Sequence, residues 1–244
     1  LNYSENLNTR SKSKIMKLPQ LIFVAFIAFF MCDISSAQDW ANLQRFRDDN
    51  IHLGPPAPGE KRVVFMGNSI TEGWSNLYPV FFEGSNYINR GISGQTTPQM
   101  LVRFRADVIN LKPAVVVILA GTNDIAGNTG PSTLEMIEGN LASMAEIAKA
   151  NKIKVIMCSV LPAYDFPWNP GVQPAEKIYA LNQWIKKYAG ENKHLYLDYF
   201  TSMADEKKGL KKEFTSDGVH PNLAGYKVME PLVEEAIKEV LGKK

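Results

Sequence analysis

Five short segments of the chain read as strands, and the strongest do not alternate apolar with polar residues. They are 61–66 (KRVVFM), 86–89, 114–120 (AVVVILA), 153–160 and 194–198. The run at 114–120 is continuous, rich in β-branched residues and follows Pro113. Continuous apolar strands suit a parallel sheet covered on both faces, whereas alternation marks a sheet with one wet face. The intervening stretches change period. Over 97–110, Met100, Leu101, Phe104 and Val108 form one helical stripe; over 132–150, Leu134, Ile137, Leu141, Met144, Ile147 and Ala148 do the same. Residues 176–188 and 223–241 continue the series. Strands interleaved with helices predict an α/β fold, a three-layer α/β/α sandwich around a five-stranded parallel sheet. No internal repeat or second domain interrupts 61–244.

The first 60 residues read differently. Met16 and Lys17 precede the apolar run 18–31, and Ser35-Ser36-Ala37 follows it. A basic start, a greasy core and small residues before a cut predict a signal peptide over 16–37, cleaved after Ala37. The run falls short of the roughly 20 residues a membrane-spanning helix needs. Cys32 follows Phe-Phe-Met, which disfavours lipidation. Residues 1–15 are polar and precede the plausible start methionine, so they read as non-native or as an over-extended start. Residues 38–60 form an N-terminal segment whose LGPPAPG stretch links to the first strand. The expected location is secreted or periplasmic, with no stable membrane insertion after cleavage.

Composition narrows the function classes. Of 244 residues, 45% are hydrophobic and 21% charged, a composition that folds. The 27 basic and 25 acidic side chains give a formal charge of +2, and cleavage at Ala37 would leave them in balance. Nothing in that balance draws the protein to nucleic acid or anionic membrane. Two cysteines exclude a disulfide scaffold, and three histidines leave little for a zinc centre. Cys158, alone after cleavage, lies in an apolar strand and reads as a buried core thiol.

Ligands of open α/β sheets bind at the carboxyl ends of the strands. After the first strand comes Gly67-Asn68-Ser69-Ile70-Thr71, a serine entering a helix. It is either a plain helix cap or a hydroxyl presented to a crevice beside free helix N–H groups. After the second comes Gly91-Ile92-Ser93-Gly94-Gln95-Thr96, where glycines let backbone N–H groups approach a ligand. After the third comes Gly121-Thr122-Asn123-Asp124, either an Asx turn or a neutral amide donor for an oxyanion. Before the last helix comes Asp217-Gly218-Val219-His220-Pro221. A lone loop histidine is commonly a surface residue. A carboxylate three positions earlier could instead hold one ring nitrogen and leave the other to accept a serine proton.

In order and context, these four pieces resemble the conserved blocks of the SGNH hydrolase superfamily, the GDSL-type esterases and lipases. The resemblance runs from about Lys61 to Leu241 and looks closest to secreted acylhydrolases akin to platelet-activating factor acetylhydrolase subunits and to carbohydrate acetylesterases. It implies a flavodoxin-like strand order 2-1-3-4-5. It implies Ser69 as nucleophile, His220 as general base and Asp217 as its orienting acid. Gly94, Asn123 and the Ser69 backbone N–H would form the oxyanion hole. Asn68 stands where the family block has aspartate, and Ile70 where it has leucine. No metal or organic cofactor is implied. A flavodoxin-like electron carrier would need more hydroxyls in its first loop than GNSITEGW supplies.

The implied reaction is hydrolysis of short acyl esters on a small acylated substrate, with O-acetyl groups on carbohydrate as the leading candidate. Lipid or thioester acyl hydrolysis and non-catalytic carbohydrate binding are the alternatives. The loop 161–174 (LPAYDFPWNPGVQP) carries Tyr164, Phe166 and Trp168 among polar groups, which suits a sugar ring or ordinary loop packing. Asn68 and Asp124 complete the candidate substrate-facing residues, with Trp74 either lining the same cleft or buried in the core.

Overall fold

The apolar segments become strands β1 Val63–Gly67, β2 Tyr87–Gly91, β3 Val115–Leu119, β4 Lys154–Cys158 and β5 Leu195–Leu197. In this computed structural model, which describes residues 39–242, all neighbouring pairs are parallel, in the order β2-β1-β3-β4-β5. The fold class and strand order expected from the sequence are those observed. The leader and start expected over 1–37 lie outside the described residues.

Successive residues of a strand face opposite sides of its sheet, and the core divides accordingly. Val64, Met66, Val116, Ile118, Val155 and Met157 pack on one side, Val63, Phe65, Val115, Val117 and Ile156 on the other. The first side is covered by α3 Thr97–Asp107, α5 Leu134–Ala150 and α6 Ala175–Asn192. The second is covered by α2 Ser69–Leu77 and α8 Leu223–Leu241. Three further short helices are α1 Arg47–Leu53, α4 Thr122–Ile125 and α7 Tyr199–Met203. Among the described residues, no helix is long and apolar enough to cross a membrane.

Helix ends depart from the periodicity in explicable ways. The third helix stops at Asp107 and tightens into a 3₁₀ turn at Ile109–Leu111. Lys112 then takes a left-handed conformation, φ 49°, ahead of Pro113, which cannot continue a helix. The sixth helix runs on to Asn192 because Ala189 still faces the core. The helix Arg47–Leu53 buries none of its residues, so it has no apolar stripe to betray it in the sequence. Cys158 is buried, and that burial pushes its thiol well above the usual range. A thiol kept protonated is a packing group, not a nucleophile.

Of the two readings of Trp74, the cleft one is corrected and the core one holds, for the residue is only 2% exposed. Its ring stacks between Phe81 at 4.6 Å and Tyr226 at 5.3 Å. Position 74 is on the inner face of α2, so the indole completes the core under that helix. Trp74→Ala is expected to lower the unfolding free energy by about 3–5 kcal/mol, measured by denaturant titration. Trp74→Phe should cost much less, because the Trp74 Nε1 has no hydrogen-bond partner among the described residues. Equal costs for the two variants would contradict this packing role.

Candidate active site

In this strand order, connections leave the β1–β3 pair toward opposite edges of the sheet, and that divergence opens a crevice above it. The segments after β2, β1 and β3 therefore lie side by side, with Gly67 in register with both Gly91 and Leu119. They carry Gly94, Ser69 and Asn123 respectively.

Close approach at this edge requires glycine at position 91. A Cβ there would lie 2.2 Å from the Glu72 backbone nitrogen and 2.8 Å from the Asn68 carbonyl oxygen. Gly94 has φ of +77°, a left-handed turn that any other residue adopts at a cost. Ser69 is the first residue of α2, where helix N–H groups lack intrahelical partners. The preceding Asn68 is the cap. Its Oδ1 accepts from the Ile70 N–H at 3.0 Å, and the residue is 1% exposed. Asn68 is thus spent on the helix and does not face substrate.

Ser69 Oγ lies 2.9 Å from His220 Nε2. His220 Nδ1 lies 2.6 Å from Asp217 Oδ2. The other carboxylate oxygen, Oδ1, accepts from the backbone N–H groups of His220 at 2.8 Å and Val219 at 2.9 Å. Partial burial raises the Asp217 pKa, but the hydrogen bonds from the His220 backbone and ring and from Val219 outweigh it and hold it at about 2. Thr215, which the sequence reading passed over, shapes this loop. Its Oγ1 accepts from the Asp217 and Gly218 N–H groups and donates to the His220 carbonyl at 2.7 Å. A threonine two residues before an aspartate is the available signal, since hydroxyls favour such local turns.

Asn123 is the second residue of the helical turn α4 and is 3% exposed. Its Nδ2 donates to the Gln95 carbonyl at 2.9 Å, one use of an amide that has two N–H groups. Asp124, beside it, is a further correction. Both its oxygens accept from the Thr97 N–H, at 2.9 and 3.0 Å, and Oδ1 also accepts from the Thr97 hydroxyl at 2.5 Å. It ties β3 to the N-terminus of α3. Burial raises its pKa, against the lowering effect of the Thr97 hydrogen bonds.

The aromatic loop divides between core and surface. Phe166 is 0% exposed and belongs to the core, so it is withdrawn from the substrate-facing set. Trp168 stacks on it at 5.1 Å and is 43% exposed. The Trp168 ring lies 5.9 Å from that of His220, and its Nε1 donates to Asn128 Oδ1 at 3.0 Å. Asn128 Nδ2 in turn donates to the Gly94 carbonyl at 3.2 Å. Asn128 thus links the tryptophan beside His220 to the glycine loop, a role nothing in its sequence context announces. Tyr164 is exposed and lines, with Asp217 and Gly218, a cavity of about 690 Å³ whose lining does not include Ser69 or His220.

A serine hydroxyl, an imidazole and a carboxylate joined in sequence at the switch point of a parallel sheet have the arrangement of a serine hydrolase. Residues 65–228 match the model of the GDSL-like Lipase/Acylhydrolase family. The chain belongs to that family, and it is a serine ester hydrolase. The chain is 29% identical over 187 residues to Esterase TesA of Pseudomonas aeruginosa, covering 75% of this chain and 87% of that one. It is 28% identical over 221 residues to the Acetylxylan esterase of Xylanibacter ruminicola, covering 75% of this chain but 45% of that longer protein. The solved structure of a GDSL-like lipase from Bacteroides thetaiotaomicron is 54% identical with a TM-score of 0.80, over 82% of this chain and 98% of that one.

Proposed function

We propose that Ser69, His220 and Asp217 carry out the ester hydrolysis and that the substrate is a short-chain acyl ester, with O-acetyl groups on carbohydrate preferred. The observation that carries the catalytic part is the unbroken chain from Ser69 Oγ through the imidazole to Asp217, at 2.9 and 2.6 Å. His220 Nε2 takes the hydroxyl proton as Ser69 Oγ attacks the ester carbonyl. The tetrahedral oxyanion is held by the Ser69 and Gly94 backbone N–H groups and by the second N–H of Asn123. Each donor supplies about 2.7–4 kcal/mol of transition-state stabilisation in such a hole. Collapse expels the alcohol, which takes the proton from His220. Water, activated by the same imidazole, then releases the acid.

Support for a sugar alcohol is the half-exposed face of Trp168, held rigidly by Asn128 and Phe166 at the edge of the catalytic histidine. A fixed indole beside polar groups suits the apolar face and hydroxyl rim of a pyranose. Similarity to an acetylxylan esterase points the same way. The test is a series of nitrophenyl esters of rising acyl length, run beside acetylated xylo-oligosaccharides, with Ser69→Ala as the blank. Acetyl esters should be cleaved faster than octanoyl, and Trp168→Ala should raise KM for the oligosaccharide while leaving nitrophenyl acetate unchanged. Faster octanoyl cleavage would turn the assignment to lipid substrates. No Ser69-dependent hydrolysis at all would turn it to carbohydrate binding without catalysis.

A further inference from the structure

Gln95 follows the oxyanion glycine directly, yet its side chain does not reach toward the crevice. It is 3% exposed. Its Nε2 donates to the Ala41 carbonyl at 2.7 Å, and its Oε1 accepts from Arg103 Nε at 2.5 Å. Its own carbonyl accepts the Asn123 Nδ2–H at 2.9 Å. Every polar atom of the Gln95 side chain is therefore committed, and its main chain grips the amide assigned to the oxyanion.

Arg103, on α3, is fully buried. Its fork also donates to the carbonyls of Gly67 at 3.0 Å and Arg90 at 2.8 Å, and it pairs with Asp107 at 3.0 Å. One guanidinium thus fixes the ends of β1 and β2 together with Gln95. The other anchor comes from the N-terminal segment, outside the residues matched by the family model. There Trp40 O accepts from Gln99 Nε2 at 2.6 Å, and Arg45 pairs at 3.5 Å with Glu72, whose carboxylate accepts the Ser93 N–H at 2.9 Å. The segment from Trp40 to Arg45 forms a strap that touches the 91–96 loop directly at Gln95 and reaches it indirectly through Gln99 and Glu72.

We propose that Gln95, held between Ala41 of the N-terminal strap and Arg103, is a positioning residue for the oxyanion hole: its carbonyl occupies one N–H of Asn123 and so turns the other toward the reacting centre. This rests on the oxyanion role given above to Asn123. An amide with one N–H already fixed has a single direction left for the second, and such preorganisation is what makes an oxyanion donor effective. Losing the Gln95 side chain frees its carbonyl to drift and lets the Asn123 amide rotate. Substrate binding in the ground state should be little affected, because the oxyanion exists only later.

The experiment is a double-mutant cycle of Gln95→Ala and Asn123→Ala, read as kcat and KM on nitrophenyl acetate, with thermal unfolding of each variant. Asn123→Ala should lower kcat by about a hundredfold to a thousandfold. Gln95→Ala should lower kcat by about tenfold to a hundredfold at nearly constant KM. In the Asn123→Ala background the same change should cost less than about threefold, since there is no amide left to orient. Gln95→Glu provides a second variant: it keeps the volume and the acceptor for Arg103, but it replaces the donor to Ala41 with a second acceptor and brings a negative charge beside Arg103. It should show the same coupling to Asn123. An equal loss with and without Asn123, or full kcat in a folded Gln95 variant, overturns the proposal. A merely structural Gln95 would lower the melting temperature without coupling to Asn123. If Asn123→Ala itself costs nothing, the oxyanion assignment has failed; if it costs the stated factor and the Gln95 variants keep kcat, only the positioning role has failed.

Discussion

Ser69→Ala is expected to lower kcat for ester hydrolysis by about six orders of magnitude, on the scale seen when the serine of another Ser-His-Asp hydrolase is removed. The change deletes the one atom that forms the acyl bond. His220 Nε2, 2.9 Å away, is left with no proton to take. Any residual rate over water would come from the oxyanion donors and from binding alone. The fold should hardly notice. The cap of α2 is Asn68, not Ser69, and alanine is a good residue for a first helical turn. The melting temperature should therefore stay within the range of an ordinary surface substitution, worth about 0.5 kcal/mol. Turnover and thermal unfolding measured on the same preparation check both halves. A Ser69→Ala protein that retains a tenth of the wild-type turnover would remove Ser69 from the mechanism.

The second large effect is expected from Asp217→Asn, a drop in kcat of about ten thousandfold. The reason lies in which oxygen does what. Oδ1 is held by two backbone N–H groups, from Val219 and His220, while Oδ2 faces the ring. An asparagine at 217 keeps its single oxygen on those two donors, so its NH₂ must face His220 Nδ1. The ring then has to accept at Nδ1 and carry its proton on Nε2, where it cannot take the serine proton. Asp217→Asn should thus be nearly as harmful as its removal, although it changes no volume.

The same hydrogen bonds set a pH window. The Asp217 pKa is lowered in the folded protein from an unperturbed 3.8 to about 2. A folded value below the unfolded one means that the carboxylate contributes stability above about pH 4, and that the contribution is lost as pH falls toward 2. The melting-temperature gap between wild type and Asp217→Asn should be constant above about pH 4 and narrow below it. A gap that widens on acidification would contradict the assignment. Any loss of wild-type turnover between about pH 8 and pH 5 must arise from a group other than Asp217.

The strands and the order of the chemistry along the chain were legible because both are local. Val115 to Leu119 is buried at every position, and a continuous apolar run says so without help from the rest of the chain. Helix stripes such as Ile137, Leu141 and Met144 are equally local, since a helix repeats its buried face every few residues. The parallel sheet then fixes where ligands can collect, so Ser69, Asn123 and His220 stood out by their places after strands or before a helix, while Gly94 was chosen from its loop by the family resemblance. Burial patterns were silent where no periodic face exists, as in Arg47–Leu53.

Side chains in the loops were decided by partners far away in sequence. Trp74 and Trp168 are both tryptophans near candidate residues, yet one is sealed under Tyr226 and the other stands beside His220. Asp124 looks like a site carboxylate until Thr97, 27 positions earlier, takes up its oxygens. Arg103 lies outside the motifs and Gln95 inside one that says nothing of its side chain, because their contacts are set by carbonyls at 41, 67 and 90 that converge only when the sheet closes. Ser69 and His220 themselves are 151 residues apart. The sequence by itself determined the apolar periodicities, hence the layers and the edge of the sheet that can bear a site. Tertiary structure alone decided which polar and aromatic groups reach that edge, because a loop side chain's surroundings depend on distant contacts that no local pattern encodes.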